Sequence, residues 1–546
     1  MMAAALHCKQ EISEDRAFSA PQLTAIQADM VLLRSIVTVG SLTLVSRLFG
    51  FVRDILIAAV LGAGMLADVF FVAFKFPNLF RRLFAEGAFN MAFVPLFAGI
   101  LEAEGEEAAR RFADQALAVL LWTLFGFVIV VELAMPWLMM AFAPGFLDNP
   151  EKFGLAVELT RITFPYLLFI SLVSLFAGVL NSVGKFAAAA ATPILLNICL
   201  IGAVLGFAQA AETPGHALAW GVFTAGIVQF VWLMVHTSKA GFRPRWQRPR
   251  MNENVKLLLM RALPVALGAG IYQINLLIDT IIASLLPEGS ISYLFFADRV
   301  NQLPLGVVGV AVGTALLPLL SRQIRADDEA AAASSQNRAL EFSLLLTLPA
   351  AIALMVIAEP VVTVLFQRGA FGDIQAAATA AALGIYAIGL PAYVLVKALA
   401  PGFFARGDTS TPVKIAIAAM VVNLVLNLIL MGPFLHVGIA MATAVSSWLN
   451  AGLMATVLYR RGHLVFDARL KSRAAKTLLA SIGMGAALYF ALPHLADRLG
   501  GAEVERAIGL AGLVAGGALV FAVLAQVTGA ARIADVKSLY RGKAAS

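Results

Sequence analysis

Nine basic side chains lie inside the apolar stretches of this chain, where cations are rare. They are Arg47, Arg53, Lys75, Arg81, Arg82, Arg161, Arg261, Arg299 and Lys397. A cation at the centre of a membrane helix costs about 2.5–3.5 kcal/mol, so nine that faced lipid would cost about 25 kcal/mol. A solvated cavity between helices avoids this cost, and anions are its natural contents. The pattern therefore predicts a transporter of a negatively charged substrate.

The elements that hold these cations must be membrane helices. Of the 546 residues, 60% are hydrophobic and 13% are charged, and the mean hydropathy is +0.87. These values exclude an ordinary soluble domain and indicate an all-α polytopic membrane protein. The two cysteines, Cys8 and Cys199, offer neither a disulfide framework nor a metal motif. The basic residues are dispersed among loops, where membrane orientation explains them, so we expect no nucleic-acid partner.

Hydropathy predicts about fourteen transmembrane helices. The second and eighth segments are too long for one straight crossing and are interrupted by charge, Gly or Pro, which is typical of bent helices that line a cavity. The predicted limits are 36–62, 66–103, 115–142, 156–181, 185–208, 216–236, 257–285, 291–323, 338–366, 375–402, 411–431, 436–459, 475–493 and 507–528.

Loop charge predicts that both termini are cytoplasmic. With the amino terminus inside, the loops and tails on that side carry about 27 Lys and Arg and the opposite loops about four, among them Lys152 and Arg368. Residues 1–34 resemble neither a signal peptide nor a membrane span, and we expect a disordered cytoplasmic tail there. The remaining cytoplasmic segments are the basic linker 239–256, the basic loop 461–474 and the tail 531–546.

Two segments of the chain repeat at an offset of about 224 residues. Residues 73–78 match residues 297–302, with Lys75 aligned to Arg299, and Pro95 matches Pro318 to within one position. Six predicted spans separate the copies, and because six is even the two halves have the same orientation. This repeat predicts two parallel six-helix lobes, 35–238 and 257–460, around a central cationic cavity. Two extra helices follow within 475–530.

The first span carries charges that could reach a ligand in that cavity. Arg47 and Asp54 are seven residues apart and share a helix face, whereas Arg53 points about 120° away on an ideal helix. Gly50 permits unwinding or close approach, which could turn both guanidiniums toward one ligand. The alternative is that Arg53 and Asp54 pair with neighbours across the bundle.

The second and eighth spans carry the remaining charges. Asp68, Lys75 and Arg82 recur every seven residues as a polar stripe, and Arg82 can pair with Glu86. Arg81 has no evident local partner, and Arg299 has only its neighbour Asp298, so these two arginines are the better candidates to meet a ligand. Arginine suits phosphate because its planar fork donates two parallel hydrogen bonds.

Several blocks of the sequence resemble one known family. The blocks SRLFGFVRD (46–54), GAG (62–64) with Asp68, and FKFPNLFRRLFAEGAF (74–89) strongly resemble the MurJ (MviN) family of bacterial lipid II flippases. The resemblance covers roughly residues 30 to 530. Later matches fall in the expected order at 297–299, 367–371, 397–403 and 411–416.

The resemblance implies a member of the multidrug/oligosaccharidyl-lipid/polysaccharide exporter superfamily in the bacterial inner membrane. Its substrate would be lipid II, the undecaprenyl-pyrophosphate disaccharide-pentapeptide, moved to the outer leaflet for peptidoglycan assembly, with cell-wall synthesis proteins as candidate partners. In this family the arginines that match Arg47, Arg53 and Arg299 hold the pyrophosphate. Residues matching Asp54, Asp68 and Arg81 are functionally sensitive, and the last two helices form a groove for the lipid tail.

A second polar cluster concerns energy coupling. Asp279 is a carboxylate in an otherwise apolar span, which makes it a functional candidate. Asn423, Asn427 and Thr443 could complete an oxygen-rich cation site, and some family members resemble this arrangement with sodium. Asn427 stands where such sites have a carboxylate, so an interhelical hydrogen-bond cluster is an equal alternative. The coupling ion is therefore left open between Na⁺, H⁺ and none, with membrane potential as the other energy source.

No catalytic or cofactor motif emerges from the sequence. It has no P-loop, zinc motif or ATPase signature, so we expect a transporter rather than an enzyme. One alternative is a flippase for another polyprenyl-pyrophosphate-linked glycan. A more distant one is an intramembrane glycan polymerase, which would need a large outer loop with catalytic groups, whereas the outer loops here are short.

Overall fold

The computed structural model describes residues 20–82 and 88–531. These residues form sixteen α-helices, and no strand occurs among them. Glu86, the tail 532–546 and residues 1–19 lie outside the described residues. The helices are α1 Ala20–Leu61, α2 Met65–Arg81, α3 Ala88–Glu104, α4 Glu106–Phe142, α5 Pro150–Thr163, α6 Tyr166–Ser182, α7 Phe186–Phe207, α8 Pro214–Lys239, α9 Glu253–Ser284, α10 Ser290–Arg325, α11 Glu329–Val356, α12 Ala358–Phe366, α13 Asp373–Phe404, α14 Ser410–Arg460, α15 Ala468–Gly500 and α16 Glu503–Thr528.

Each predicted span overlaps helical residues, and the helices extend beyond the apolar limits. Over the described ranges, nine helical segments are long and apolar enough to cross a membrane by length and composition. One of them combines α5 with α6, and α14 is itself long enough for two crossings. The all-helical membrane fold is confirmed, while the number of fourteen crossings stays a prediction.

Local sequence explains where several helices begin. The side chains of Asn149, Thr213 and Asn252 accept hydrogen bonds from backbone N–H groups in the first turns of α5, α8 and α9. Proline follows Asn149 and Thr213 at the first helical position, where its missing N–H costs nothing. The start of α1 differs from expectation, because the helix begins at Ala20, inside the segment predicted to be a disordered tail. Its Ala-, Leu- and Gln-containing sequence has high helix propensity.

The helix α14 contains a reversal. Leu435 has φ 50° and ψ −132°, so two helices meet there, as the separate predicted spans 411–431 and 436–459 require. Pro433 ends the first helix because it lacks a backbone donor. A Cβ atom on Gly438 would lie 2.3 Å from the carbonyl oxygen of Leu430, so only glycine permits this close return.

Helix packing defines two halves with equivalent positions at their junction. In the amino-terminal half α1 packs on α7 and α7 on α8, and in the carboxy-terminal half α13 packs on α10, α11 and α14. Phe71 on α2 stacks on Phe295 on α10 with ring centroids 3.8 Å apart, and Asp68 contacts Ser292. Both pairs are separated by the 224 residues of the sequence repeat. Equivalent residues touch only at an axis that relates the halves, so this axis passes between α2 and α10.

Two further packing relations position the remaining helices. The pair α15–α16 attaches to the carboxy-terminal half through α11, where a Cβ atom on Gly485 would meet Ile352 at 2.5 Å. Helix α9 packs against α3 and α4 of the amino-terminal half as well as against α14. It therefore bridges the two halves and brings Asp279 near both.

Candidate functional site

A buried carboxylate joins two arginines from opposite halves. Arg53 donates to Asp54 Oδ1 from Nε at 3.0 Å and from Nη2 at 2.7 Å. The other oxygen, Asp54 Oδ2, lies 3.2 Å from Nε of Arg299 on α10. The Arg299 guanidinium also covers the ring of Phe295, with Cζ 4.8 Å from the centroid. Asp54 thus holds cations of both repeats in one cluster, and Arg299, whose side chain is 33% exposed, is its accessible member.

A second pair of cations, Arg47 and Lys397, packs against the face of α10 that carries Gly306 and Gly309. Nη2 of Arg47 approaches the carbonyl oxygen of Gly306 at 3.5 Å, and a Cβ atom there would lie 2.5 Å from the guanidinium. A Cβ atom on Gly309 would likewise lie 2.8 Å from Cδ of Lys397. Both cations are exposed and repel each other. Among the described residues neither has an acidic partner, which leaves uncompensated positive charge between the halves.

The environment of Arg53 differs from the expectation that this side chain faces the cavity. Its side chain is buried, and Nη1 donates to Asn197 Oδ1 on α7 at 2.9 Å. Asn197 in turn donates to the carbonyl oxygen of Ser46 at 3.0 Å. The helix α1 is continuous through Gly50, where a Cβ atom would lie 3.5 Å from Asn197. The glycine therefore provides close approach between α1 and α7 rather than unwinding, and the pairing alternative describes Arg53 in this conformation.

The charges of the second span take up different environments along α2. Lys75 is exposed, donates to Thr280 Oγ1 on α9, and is attracted by the carboxylates of Asp279 and Asp298. Asp298 is half-buried and accepts from Gln302 one turn along α10. Lys75 thus connects the second span with α9 and α10.

The two arginines at the end of α2 also differ from each other. Arg81 is half-buried and donates from Nε to Asn78 Oδ1 at 3.0 Å, so it has the local partner that the sequence did not indicate. Arg82 is exposed at the end of α2. Its expected pairing with Glu86 lies outside the described residues.

Asp68 forms a buried latch between the halves. The side chain, only 1% exposed, accepts from Lys152 Nζ at 3.1 Å and from three donors at the start of α10. Those donors are the N–H groups of Gly289 at 2.8 Å and Ser292 at 3.0 Å, and the Ser292 hydroxyl at 2.7 Å. A carboxylate at a helix amino terminus is stabilised by the unpaired N–H groups and the helix dipole. Asp68 is therefore an interlobe contact in this conformation.

Other contacts close the same end of the molecule. The N–H of Ala370 donates to the carbonyl oxygen of Ala59 at 2.8 Å, and the N–H of Gly145 lies 3.3 Å from Ser284 Oγ. A Cβ atom on Gly145 would lie 2.1 Å from the Ser284 carbonyl oxygen, so backbone packs directly on backbone here. The contacting residues lie in or beside the loops that join α1 to α2, α4 to α5, α9 to α10 and α12 to α13. The halves are thus tightly joined at this end.

The candidate cation residues form one network across α9 and both arms of α14. Nδ2 of Asn427 donates to Asp279 Oδ1 at 2.8 Å and to Asn423 Oδ1 at 3.1 Å. Nδ2 of Asn423 reaches Ser446 Oγ at 3.4 Å and Thr443 Oγ1 at 3.5 Å. Asn427 is fully buried, and its Oδ1 has no hydrogen-bond donor in the described part of the chain. The hydrogen-bond cluster is therefore present, and it leaves one buried oxygen that a monovalent cation could use.

Among the polar residues that were not predicted from sequence, three anchor the charged clusters. Asn197 anchors Arg53, Lys152 anchors Asp68, and Ser292 completes the latch. Asn197 could have been found, because an amide in an apolar span is itself a signal. Lys152 counted only as a loop charge, although its side chain is buried against Asp68 and over the Phe146 ring at 4.4 Å.

Comparison with known proteins gives the family. Residues 57–500 match the family model described as "Lipid II flippase MurJ". A protein of Rhizobium meliloti (strain 1021) named "Probable lipid II flippase MurJ" is 48% identical over 525 residues, which cover 95% of this chain and 98% of that protein. The Burkholderia cenocepacia protein named "Lipid II flippase MurJ" is 38% identical over 437 residues, covering 79% of this chain and 85% of its own length.

Solved structures share the same fold. One described as "Lipid II flippase MurJ, inward closed conformation" superposes with a TM-score of 0.75 at 24% identity, over 90% of this chain and 98% of that one. An inward-facing multidrug resistance MATE family transporter of the MOP superfamily gives a TM-score of 0.62 at 13% identity, over 78% of this chain and 97% of that one. With the family model spanning most of the sequence, this chain belongs to the MurJ family of lipid II flippases.

Proposed function

We propose that this chain moves lipid II across the bacterial inner membrane by alternating access, using the cations between its halves to hold the pyrophosphate. The observation that carries the proposal is the pair Arg47 and Lys397. These like charges come from opposite halves, lie over one glycine face of α10 and have no acidic partner among the described residues. Such a pair is unfavourable until an anion lies between its members. The family, whose curated members are named lipid II flippases, supplies the substrate with that charge.

Arg299 is the third contact in this proposal. Asp54 and Phe295 fix its guanidinium from two sides while leaving a third of the side chain accessible. A fixed guanidinium can donate two parallel hydrogen bonds to one phosphate group without losing much further entropy. Arg53, buried behind Asp54, positions that carboxylate rather than touching the substrate. Lys75, Arg81, Arg82 and Asp298 complete the polar lining of the route.

The contacts at the Asp68 end support a closed gate there. By loop charge both termini are cytoplasmic, which makes the end with loops 62–64, 143–149, 284–290 and 366–372 the outer one. Substrate then enters between the halves from the cytoplasmic side. Breaking the Asp68 latch lets the two halves rock against each other and opens the outer side.

Energy coupling is assigned in this proposal to the Asp279 network. Asp279 supplies the charge, and Asn423, Asn427 and Thr443 supply neutral oxygens, which is a ligand set suited to Na⁺. The unpaired Asn427 Oδ1 supports this assignment. Because Asp279 also attracts Lys75, a change of charge at Asp279 would be felt at the substrate route. The apolar outer faces of α15 and α16 are assigned to the undecaprenyl tail, and cell-wall synthesis proteins remain candidate partners.

Replacing Arg299 tests the function. In cells depleted of their own flippase, the wild-type chain should restore growth and move the lipid-linked precursor to the outer face, as measured by a probe that reaches only that face. Arg299→Ala should leave the precursor on the cytoplasmic face at equal protein level. Arg325→Ala is the matched control, since Arg325 is an exposed arginine in the last turn of the same helix α10, outside the cluster. Full transport by Arg299→Ala would overturn the assignment of Arg299, and failure of the wild-type chain to move lipid II would favour another polyprenyl-pyrophosphate glycan.

A further inference from the structure

Three ligand-type side chains converge on the outer surface of the amino-terminal half, away from α10. Glu158 lies on α5, Glu212 lies just before α8, and His216 is in the first turn of α8. One carboxylate oxygen of each glutamate and a ring nitrogen of His216 all lie within 4.8 Å of one another. The cluster is independent of the substrate route and of the Asp279 network.

The imidazole is buried, and one of its nitrogens has no hydrogen-bond partner. His216 is only 6% exposed. Its Nε2 lies 3.3 Å from Glu158 Oε1 and 3.9 Å from Glu212 Oε2, yet it makes no hydrogen bond within the described chain. A buried polar atom without a partner costs about 1–3 kcal/mol, so the position of Nε2 calls for a ligand.

The other ring nitrogen has a partner that can accept a hydrogen bond in the tautomer that metal binding needs. Nδ1 lies 2.9 Å from Thr213 Oγ1, and the same hydroxyl caps α8 by accepting from the His216 N–H at 3.4 Å. With Nδ1–H donating to Thr213, the lone pair of Nε2 points at the two carboxylates. Metal-binding histidines commonly hold their second nitrogen in this way.

Charge balance favours a divalent cation over a simple ion pair. Two carboxylates beside a neutral imidazole carry a charge of −2, which one divalent ion neutralises and a single proton on His216 does not. Arg161 lines the same surface pocket, but its Nε donates to the carbonyl oxygen of Glu132 at 3.3 Å. Arg161 is therefore held to the backbone of α4 by that bond.

We propose that Glu158, Glu212 and His216 bind a Zn²⁺ ion that ties α5 to α8. One imidazole nitrogen and two carboxylate oxygens are a common zinc ligand set, with water in the fourth position, whereas Ca²⁺ and Mg²⁺ prefer oxygen alone. Bonds of about 2.0–2.2 Å separate tetrahedral ligands by about 3.4 Å. Glu158 and Glu212 are exposed, so a rotamer change suffices to bring them to that separation. Since α5 also carries Lys152, the ion would brace the helix that supports the Asp68 latch.

Zinc binding by the intact protein tests this site. The full chain, freed of any polyhistidine tag and treated with a chelator, should bind one Zn²⁺ per chain in competition with a fluorescent chelator. Loss of an outer-shell partner already costs about 10–100-fold in metal affinity, so Glu212→Gln and His216→Ala should each weaken binding by about 100-fold or more. Because Glu212 is exposed, its replacement should leave folding unchanged, which keeps the test valid if His216→Ala destabilises α8.

Two matched variants provide controls. Glu151→Gln removes an exposed carboxylate from the same helix α5, and His494→Ala removes an exposed histidine elsewhere; both should bind zinc like the wild type. X-ray absorption of the zinc-loaded protein should show one imidazole among oxygen ligands. Wild-type protein that binds no zinc, or equal zinc affinity in the wild type and in Glu212→Gln, would overturn the proposal.

Discussion

Breaking the Asp68 latch should open the end of the molecule that this contact holds closed. In Asp68→Asn the buried side chain keeps its size but loses its charge, and its amide N–H₂ meets donors at the start of α10. The native carboxylate accepts four hydrogen bonds, one from Lys152 and three from Gly289 and Ser292. Lys152 belongs to the same half as Asp68, so opening breaks only the three bonds from α10. A hydrogen bond to a charged group contributes about 1.5–3 kcal/mol, so neutralising the acceptor of these three bonds should cost the closed state about 3 kcal/mol. At 1.36 kcal/mol per tenfold, this cost raises the open-to-closed ratio about 150-fold.

The rate of thiol modification can measure this ratio. Cys8 and Cys199 are first replaced, and Ala63→Cys then provides a buried thiol beside Gly289, where the loops of the two halves meet. A water-soluble maleimide should label this thiol about 100-fold faster in Asp68→Asn. Ser292→Ala removes one hydrogen bond to the carboxylate, worth about 1.5 kcal/mol, and should raise the rate about tenfold.

An exposed thiol supplies the control for reagent and folding. Ile374→Cys lies at the same end but is exposed, so its labelling should be equal in every background. If the folded Asp68→Asn protein labels at Ala63→Cys within about threefold of the wild-type rate, Asp68 does not hold the halves together. The latch would then be a local helix cap only.

Three other replacements have defined outcomes. Arg299→Lys keeps the charge but loses the planar fork, so binding of a pyrophosphate lipid should fall about tenfold or more, and unchanged affinity would contradict bidentate contact. Asp279→Asn should abolish any difference in thermal stability between NaCl and KCl; an undiminished sodium effect would mean that the ion binds elsewhere. Hydrogen bonds from Thr411 and Arg461 hold the pKa of Asp408, in the loop before α14, well below its usual 3.8. That stabilisation is present above pH 3.8 and is lost as the pH falls further, so the unfolding midpoint should drop less between pH 5 and 3 in Asp408→Asn than in the wild type.

The sequence alone determined the membrane class, the helical spans and the two-fold repeat. Hydropathy reports which segments can lie in lipid, and this property is local to each segment. The repeat was visible because Lys75 aligns with Arg299 at an offset that the contacts between Phe71 and Phe295 and between Asp68 and Ser292 reproduce. The cost of a cation in an apolar span likewise identified the candidate charges before any contact was known.

Only the tertiary structure decided which of these charges faces an open space and which is held. Arg53 and Arg299 look alike in sequence, yet Asn197 buries the first while Asp54 and Phe295 leave the second accessible. Lys152 has the sequence context of a topology signal and instead supports the latch. Glu212 and His216 are four residues apart, but Glu158 joins them only because α5 packs against α8. The partner of a charge depends on which helices become neighbours, and hydropathy does not encode that choice.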